Sequence, residues 1–210
     1  MSNDEDGRVR RAAQRRVKRR QELLKAAQTV FSRKGYHAAA VADILEQAGA
    51  SRGTFYLYFP SKRAVFEALL DEMFEHISNA VWRVKTGSDT APVVDQMHEN
   101  VCRLLDVFEQ HRDLTVILLR EAVALDVELD QKLALFWERI CQLIDGALVL
   151  GQSLGIIREC DTEMVARFVL GGMKEWALYW LLSDGDAAKR DRVAREILAY
   201  SIRGVFVDAE

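Results

Sequence analysis

The chain has 210 residues, half of them apolar and 29% charged, with a formal net charge of −3. That length suits one or two compact domains, and the mixture excludes disordered, collagenous and low-complexity proteins. No apolar run approaches the roughly 18 to 20 residues of a membrane span. Asp4, Glu5 and Asp6 stand where a signal peptide would be basic and then apolar, so a soluble, cytoplasmic protein is expected. Cys102, Cys141 and Cys160 are odd in number and widely spaced. They fit a reducing compartment and neither a disulfide framework nor a zinc module. Taken alone, the near-neutral total speaks against nucleic acid as a partner.

That total is the sum of two unlike regions. Residues 1–63 hold 14 Lys and Arg against 6 Asp and Glu, a net of +8, whereas residues 64–210 hold 15 against 26, a net of −11. The basic excess is densest from Arg8 to Arg20, where eight cations fall within thirteen residues. Such a block repels itself and is either a solvated tail or helix face, or an interaction segment.

Only Pro60 and Pro92 interrupt the chain, and both sit where a helix would begin. Apolar residues recur at three and four throughout, which predicts an all-α protein of about nine helices. In the first, Val17, Leu24, Ala27 and Phe31 share a face, with Gly35 as the stop. Val41, Ile44, Leu45 and Ala48 form a short second helix ended by Gly49, and Ser51 caps a third that runs to about Tyr58. Pro60 and Ser61 open a fourth carrying Val65, Leu69, Met73, Ile77, Val81 and Val84 to near Gly87. A fifth follows Pro92 to Phe108, a sixth holds Leu114, Ile117 and Leu118, and a seventh runs from Leu129 to a stop at Gly151. Asp161 and Thr162 cap an eighth with Phe168, Met173, Trp176 and Trp180. After a turn at Ser183 to Asp186, a ninth carries Val193, Ile197, Leu198 and Val205.

A helix ending in Gly49, the turn Gly49-Ala50-Ser51 and a second short helix describe a helix-turn-helix. The turn needs positive φ at Gly49, and Ser51 accepts an amide hydrogen bond at the start of the next helix. Phe55 and Phe59 face inward as anchors, which leaves Arg52, Thr54, Tyr56 and Tyr58 pointing elsewhere. An arginine can read guanine bidentately, and hydroxyls reach phosphates. Ser61, Lys62 and Arg63 at the start of the fourth helix add a cationic helix N-terminus suited to phosphate.

The run from Ala40 to Lys62, and above all Ala48-Gly49-Ala50-Ser51-Arg52-Gly53-Thr54-Phe55-Tyr56-Leu57-Tyr58-Phe59, closely resembles the DNA-binding domain of the tetracycline-repressor (TetR) family of bacterial transcription regulators. The resemblance extends from about Arg15 to Phe74. It implies that Ser51 caps the recognition helix and that Arg52 and Gly53 lie nearest base edges. It makes Thr54, Tyr56 and Tyr58 contacts to phosphate and groove wall, and Lys62 a phosphate anchor. Two positions depart from the family pattern: Ala39 and Ala40 replace the usual Thr or Ser before the second helix, and Leu45 stands where Ala is common. The implied organisation is a basic, flexible arm at 1–14, a DNA-binding domain at 15–75 with its motif at 40–59, and a ligand-binding and dimerisation domain at 76–210. Upstream of such a domain, Arg8, Arg10, Arg11, Arg15 and Arg16 read as an arm along the DNA backbone or minor groove, with a solvated tail as the alternative.

The family's carboxyl-terminal helices bind a small molecule and pair two subunits through the last two helices. The eighth helix, apolar on more than one face with Gly171 and Gly172 in its middle, fits that pairing. Met97, Val101, Leu105, Phe108, Leu118, Trp137, Cys141, Ile144, Phe168, Met173 and Trp176 are the pocket candidates, with plain core as the competing reading. An apolar, aromatic lining would select a hydrophobic or planar effector. Arg120 and Glu121 interrupt the apolar sixth helix and could meet a polar ligand head or a neighbour.

His98 and Cys102 share a helix face four residues apart, but two ligands are too few for a metal site and no third is visible, so no metal and no cofactor are expected. No phosphate loop, nucleophile elbow or carboxylate pair is present, which argues against an enzyme. The expectation is a homodimeric repressor released from a palindromic operator by a small effector. The alternatives are an activator or architectural DNA-binding protein without an effector, and a ligand-binding or catalytic helical protein whose basic segment is incidental.

Overall fold

The computed structural model describes residues 2–120, 127–182 and 187–205. Among these residues it contains nine α-helices and no β-sheet: α1 (Ser2–Lys34), α2 (Val41–Ala48), α3 (Arg52–Tyr58), α4 (Lys62–Ala80), α5 (Val93–Gln110), α6 (Arg112–Arg120), α7 (Val127–Ser153), α8 (Thr162–Leu182) and α9 (Ala187–Val205). Glu121, the side chain of Arg120 and the expected turn at 183–186 lie outside what is described.

α1 differs most from expectation. It is one helix of 33 residues that continues through the basic block. Ala, Gln, Arg and Lys are all good helix formers, and nothing between Arg8 and Lys34 stops the helix. Its buried face begins only at Leu23, which with Leu24, Ala27, Val30 and Phe31 packs beneath α2, α4 and α6. Val17, expected on that face, is 63% exposed because the body of the protein does not reach that far along the helix. Phe31, Tyr36 and Phe66 form a ring cluster with centroids 5.0 to 6.0 Å apart. This cluster and Phe55 sit in one core that continues through α4 into α5, α6 and α7.

α4 ends earlier than its apolar period suggests, at Ala80. The Arg103 guanidinium donates to the Ala80 carbonyl at 3.0 Å and lies 4.0 Å over the Trp82 ring. The Asn100 side chain then pairs with both backbone groups of Trp82, each at 2.8 Å. Gln96, one turn earlier on α5, does the same for Lys85, again at 2.8 Å on both sides. Two side-chain amides thus satisfy backbone groups of Trp82 and Lys85 that a helix would have satisfied internally.

α7 continues past Gly151 to Ser153, and Gly155, at φ 69°, takes the left-handed conformation after it. Gly151 has a packing role instead. A Cβ there would fall 2.7 Å from the Ile157 side chain, which folds back against the helix. α7 packs along α8, whose first turn is capped by Asp161 accepting from the Met164 amide at 3.0 Å. No described helix is long and apolar enough to cross a membrane.

Candidate DNA interface and effector cavity

The helix-turn-helix is built by local rules. Gly49 adopts φ 54°, its N–H reaches the Glu46 carbonyl at 3.2 Å, and the Ala50 N–H reaches that of Leu45 at 2.9 Å. These bonds satisfy carbonyls that the end of α2 leaves open. Arg19 of α1 donates to the Gly49 carbonyl at 3.1 Å and pairs with Glu22 at 2.6 Å, so one member of the basic block holds the turn. Arg20 lies 5.2 Å from the centre of the Phe59 ring. Ser51 caps α3, its Oγ accepting from the Thr54 amide at 3.2 Å and meeting the Thr54 hydroxyl at 2.9 Å.

With Ala40 unable to cap α2, the other half of the usual arrangement does the work. The Asp43 carboxylate accepts from the Ala40 N–H at 2.9 Å and from Lys34 at 2.7 Å. The Lys34 ammonium, followed by the Ala40 amide, holds the Asp43 carboxyl below its ordinary range.

α3 divides cleanly. Phe55 is fully buried and Phe59 nearly so, whereas Arg52, Gly53 and Tyr56 are exposed. Leu57, which the sequence did not single out, is 66% exposed on the same short helix. Thr54 and Tyr58 are half-buried, and Tyr58 packs against the core, which reduces the surface it can offer to DNA. A Cβ on Gly53 would approach only Ser51 Oγ, at 4.0 Å. Nothing inside the protein requires glycine there, and it weakens a helix by about 1 kcal/mol relative to alanine.

Lys62 is corrected from a phosphate anchor to a structural clamp. Its ammonium donates to the carbonyls of Tyr36 at 2.6 Å, Ala39 at 2.7 Å and His37 at 3.3 Å, which uses all three protons. It also sits 4.4 Å from the Tyr36 ring centre, and burial lowers its pKa. Arg8, Arg10, Arg11, Arg15 and Arg16 are exposed along the projecting part of α1.

At the other end of α4 a cavity of about 670 Å³ opens among α4, α5, α6, α7, α8 and α9. Of the pocket candidates, Met97, Val101, Phe108, Leu118, Trp137, Ile144 and Met173 line it. Four do not. Leu105 and Trp176 belong to a separate cluster with Trp180 and Val193 against α9. Cys141 is buried behind the wall, packed with Leu148 and Ile157 but not itself on the lining, and Phe168 is 79% exposed on the outer face of α8. A helix that is apolar on several faces does not reveal which face meets its own domain.

The polar groups at the wall are few. Ser78 Oγ is buried with no hydrogen-bond partner. Lys174 lies 4.1 Å from the Trp137 ring centre, and burial lowers its pKa. Arg83 is the exposed cation on the lining. Apolar walls with a few placed polar groups, at a volume inside the usual range of about 300 to 1,000 Å³, suit a small-molecule site.

An exposed reading helix joined by α4 to an apolar cavity defines the class of protein, a DNA-binding regulator that responds to a ligand. Residues 23–69 match the family described as bacterial regulatory proteins, tetR family, and residues 90–205 match the tetracyclin repressor-like C-terminal domain. The chain belongs to the TetR family and is a transcriptional regulator, not an enzyme. The near-neutral total charge is therefore a poor guide: DNA is a partner of this family, whose members also take small-molecule effectors and form dimers.

The chain is 26% identical over 191 residues to the fatty acid metabolism regulator protein of Bacillus subtilis, covering 88% of this chain and 94% of that one. Its fold is shared with the fatty acid degradation regulator FadR of Bacillus halodurans, at a TM-score of 0.76 and 21% identity, over 89% of this chain and 95% of that one. It is also shared with FadR of Bacillus subtilis, solved with stearoyl-CoA, at a TM-score of 0.74 and 22% identity, over 88% and 98% of the chains.

Proposed function

We propose that this regulator is a homodimeric repressor that leaves a palindromic operator when a long acyl chain, carried as its coenzyme A thioester, enters the cavity. The observation that carries the proposal is the reach of α4. It starts at the Ser61 cap beside α3, and its residues Met73, Ile77 and Ser78 form part of the cavity wall. A ligand that displaces this wall therefore acts on the reading head through one rigid element. Such a ligand acts only by preferring the released conformation, and a coupling of about 1 to 3 kcal/mol corresponds to about 5- to 150-fold weaker operator binding.

Arg52 reads a base edge, Gly53 lets the backbone approach closely, and Tyr56 with the Ser51 and Thr54 hydroxyls contacts phosphate and groove wall. Arg8, Arg10, Arg11, Arg15 and Arg16 add phosphate contacts along the projecting end of α1. Residues 15–75 form the reading domain and 76–210 the effector and dimer domain, and the protein works in the cytoplasm on DNA.

The second copy covers the outer stripe of α8. Met164, Phe168 and Tyr179 are 57%, 79% and 64% exposed, Gly171 and Gly172 leave open space between them, and Tyr200 on α9 is 86% exposed. A run of exposed large apolar residues on two terminal helices is what a dimer buries, and two-fold pairing sets two recognition helices about 34 to 36 Å apart.

The apolar lining, the similarity to a fatty acid metabolism regulator and the shared fold of FadR solved with stearoyl-CoA support the acyl chain. On this reading the Ser78 hydroxyl and the Lys174 ammonium, both on the lining, meet the thioester carbonyl, and Arg83 meets phosphate. Gel shift on the DNA upstream of its own gene, with and without stearoyl-CoA, tests the proposal. Operator release by stearoyl-CoA but not by free coenzyme A is expected. A complex that survives saturating stearoyl-CoA rejects the effector, and unaltered binding by the Arg52→Ala, Tyr56→Ala double variant rejects the reading head.

A further inference from the structure

On the side of α5 away from the cavity, the two residues that looked too few for a metal acquire a third. His98 and Cys102 lie one turn apart on α5, and Asp191 of α9 closes against them. His98 Nε2 is 3.2 Å from Asp191 Oδ1 and 3.8 Å from Cys102 Sγ, and one ligand atom from each of the three residues lies within 4.8 Å of the others. All three side chains are partly buried, so the cluster is shielded yet open to entry. The other Asp191 oxygen pairs with Arg195 at 2.6 Å, which fixes the carboxylate and keeps its first oxygen toward His98.

We propose that His98, Cys102 and Asp191 form a binding site for a borderline divalent cation, zinc(II) foremost. One imidazole nitrogen, one thiolate and one carboxylate oxygen are the three donor types that zinc takes, at about 2.0 to 2.3 Å, and water completes the tetrahedron. Bonds of that length at the tetrahedral angle set ligand atoms about 3.4 to 3.6 Å apart, so the His98–Asp191 and His98–Cys102 pairs, at 3.2 and 3.8 Å, already stand close to those of a shared ion, and the Cys102–Asp191 pair, within 4.8 Å, draws in on binding. Binding replaces the thiol proton, which leaves to solvent as the Cys102 sulfur becomes a thiolate ligand, so affinity rises with pH. The Arg195 pair supplies the outer support that orients a ligating carboxylate.

The placement gives the ion a consequence. Met97 and Val101 are the chain neighbours of His98 and Cys102 and line the cavity, as do Ile197 and Leu198 of α9. An ion between α5 and α9 ties together two walls of the cavity and anchors α9 to the rest of the domain. The site stands on its own ligands and does not depend on the identity of the effector.

Cobalt(II) titration of the full-length, reduced protein tests the proposal, since cobalt reports thiolate ligation by a charge-transfer band and tetrahedral geometry by its ligand-field intensity. One equivalent per chain is expected, displaced by zinc(II), with the band removed by a chelator and restored by fresh metal on the wild-type chain. Cys102→Ser should abolish the band, whereas Cys141→Ser and Cys160→Ser should keep it. His98→Gln and Asp191→Asn should each weaken binding at least about tenfold, the smallest loss seen for residues that merely support a ligand. Helical circular dichroism accompanies each variant. A wild-type chain without the band, a band that survives Cys102→Ser, or a smaller loss in either of the other two variants overturns the site.

Discussion

The reading head and the effector domain, both all-helical and sharing α4, put helix packing to opposite ends. In the head, Leu23, Ala27, Phe31, Ile44 and Phe55 are completely buried, and three backbone carbonyls are clamped by the single ammonium of Lys62. In the effector domain, α4 to α9 all contribute to the wall of a cavity of about 670 Å³, and Ser78 Oγ and Asp145 Oδ1 are buried without partners. A head that positions hydrogen-bond donors against base edges must be rigid, because misplacement forfeits them. A domain that must respond to a ligand keeps room for it, and with that room it gives up packing that would stabilise one conformation.

The largest test of this contrast lies in the two cores. Phe55→Ala should cost about 3 to 5 kcal/mol in urea or thermal unfolding, whereas Leu118→Ala, at the cavity wall, should cost less than that, since part of its surface faces space already empty. Equal losses would remove the distinction. Next comes Arg52→Ala, expected to weaken operator binding by about 1 to 3 kcal/mol with unchanged melting, measured by fluorescence anisotropy and calorimetry. A matching loss of stability would make Arg52 structural. Ser51→Ala should cost about 1 kcal/mol of stability through the lost cap, with operator affinity falling alongside it.

Smaller still is the effect of each methylene in an acyl-CoA series. Affinity should rise by about 0.8 kcal/mol per added CH₂ until the cavity is full and then level off, as read by isothermal titration; no dependence on length would separate the cavity from effector binding. The smallest effect concerns pH. His111, at the end of α5, stacks on His76 of α4 with ring centres 3.9 Å apart. Burial, and then the neighbouring imidazole, lowers its pKa below the usual 6.5. The folded state therefore binds fewer protons than the unfolded one just below that value. Stability should be fully present above about pH 6.5 and decline as the pH falls through the lowered folded pKa. His76→Gln should shrink the decline, and an unchanged pH profile in that variant would exclude the pair as its source.

What could be read in the sequence follows from the range of the forces involved. Gly49, Ser51 and Asp161 act on backbone groups within a few residues, so their roles as turn and caps are visible from spacing alone. Val17 fits the apolar period of α1 as well as Leu24 does, but only the reach of the neighbouring helices decides that it is exposed. Phe168 and Met173 lie on one apolar helix, yet one faces outward and the other into the cavity. Lys62 looks like a surface cation until the chain between α1 and α2 brings three carbonyls to it.

By itself the sequence determined the all-helical class, the helix-turn-helix and its caps, the opposite charge of the two halves, and the inward-facing rings of Phe55 and Phe59. These rest on periodicity and on hydrogen bonds between near neighbours. Only the tertiary structure decided where the cavity opens, which apolar residues line it, why α4 stops at Ala80, and that Asp191 joins His98 and Cys102. Each of these depends on side chains from helices far apart in the chain, and packing, not propensity, sets which of their faces meet.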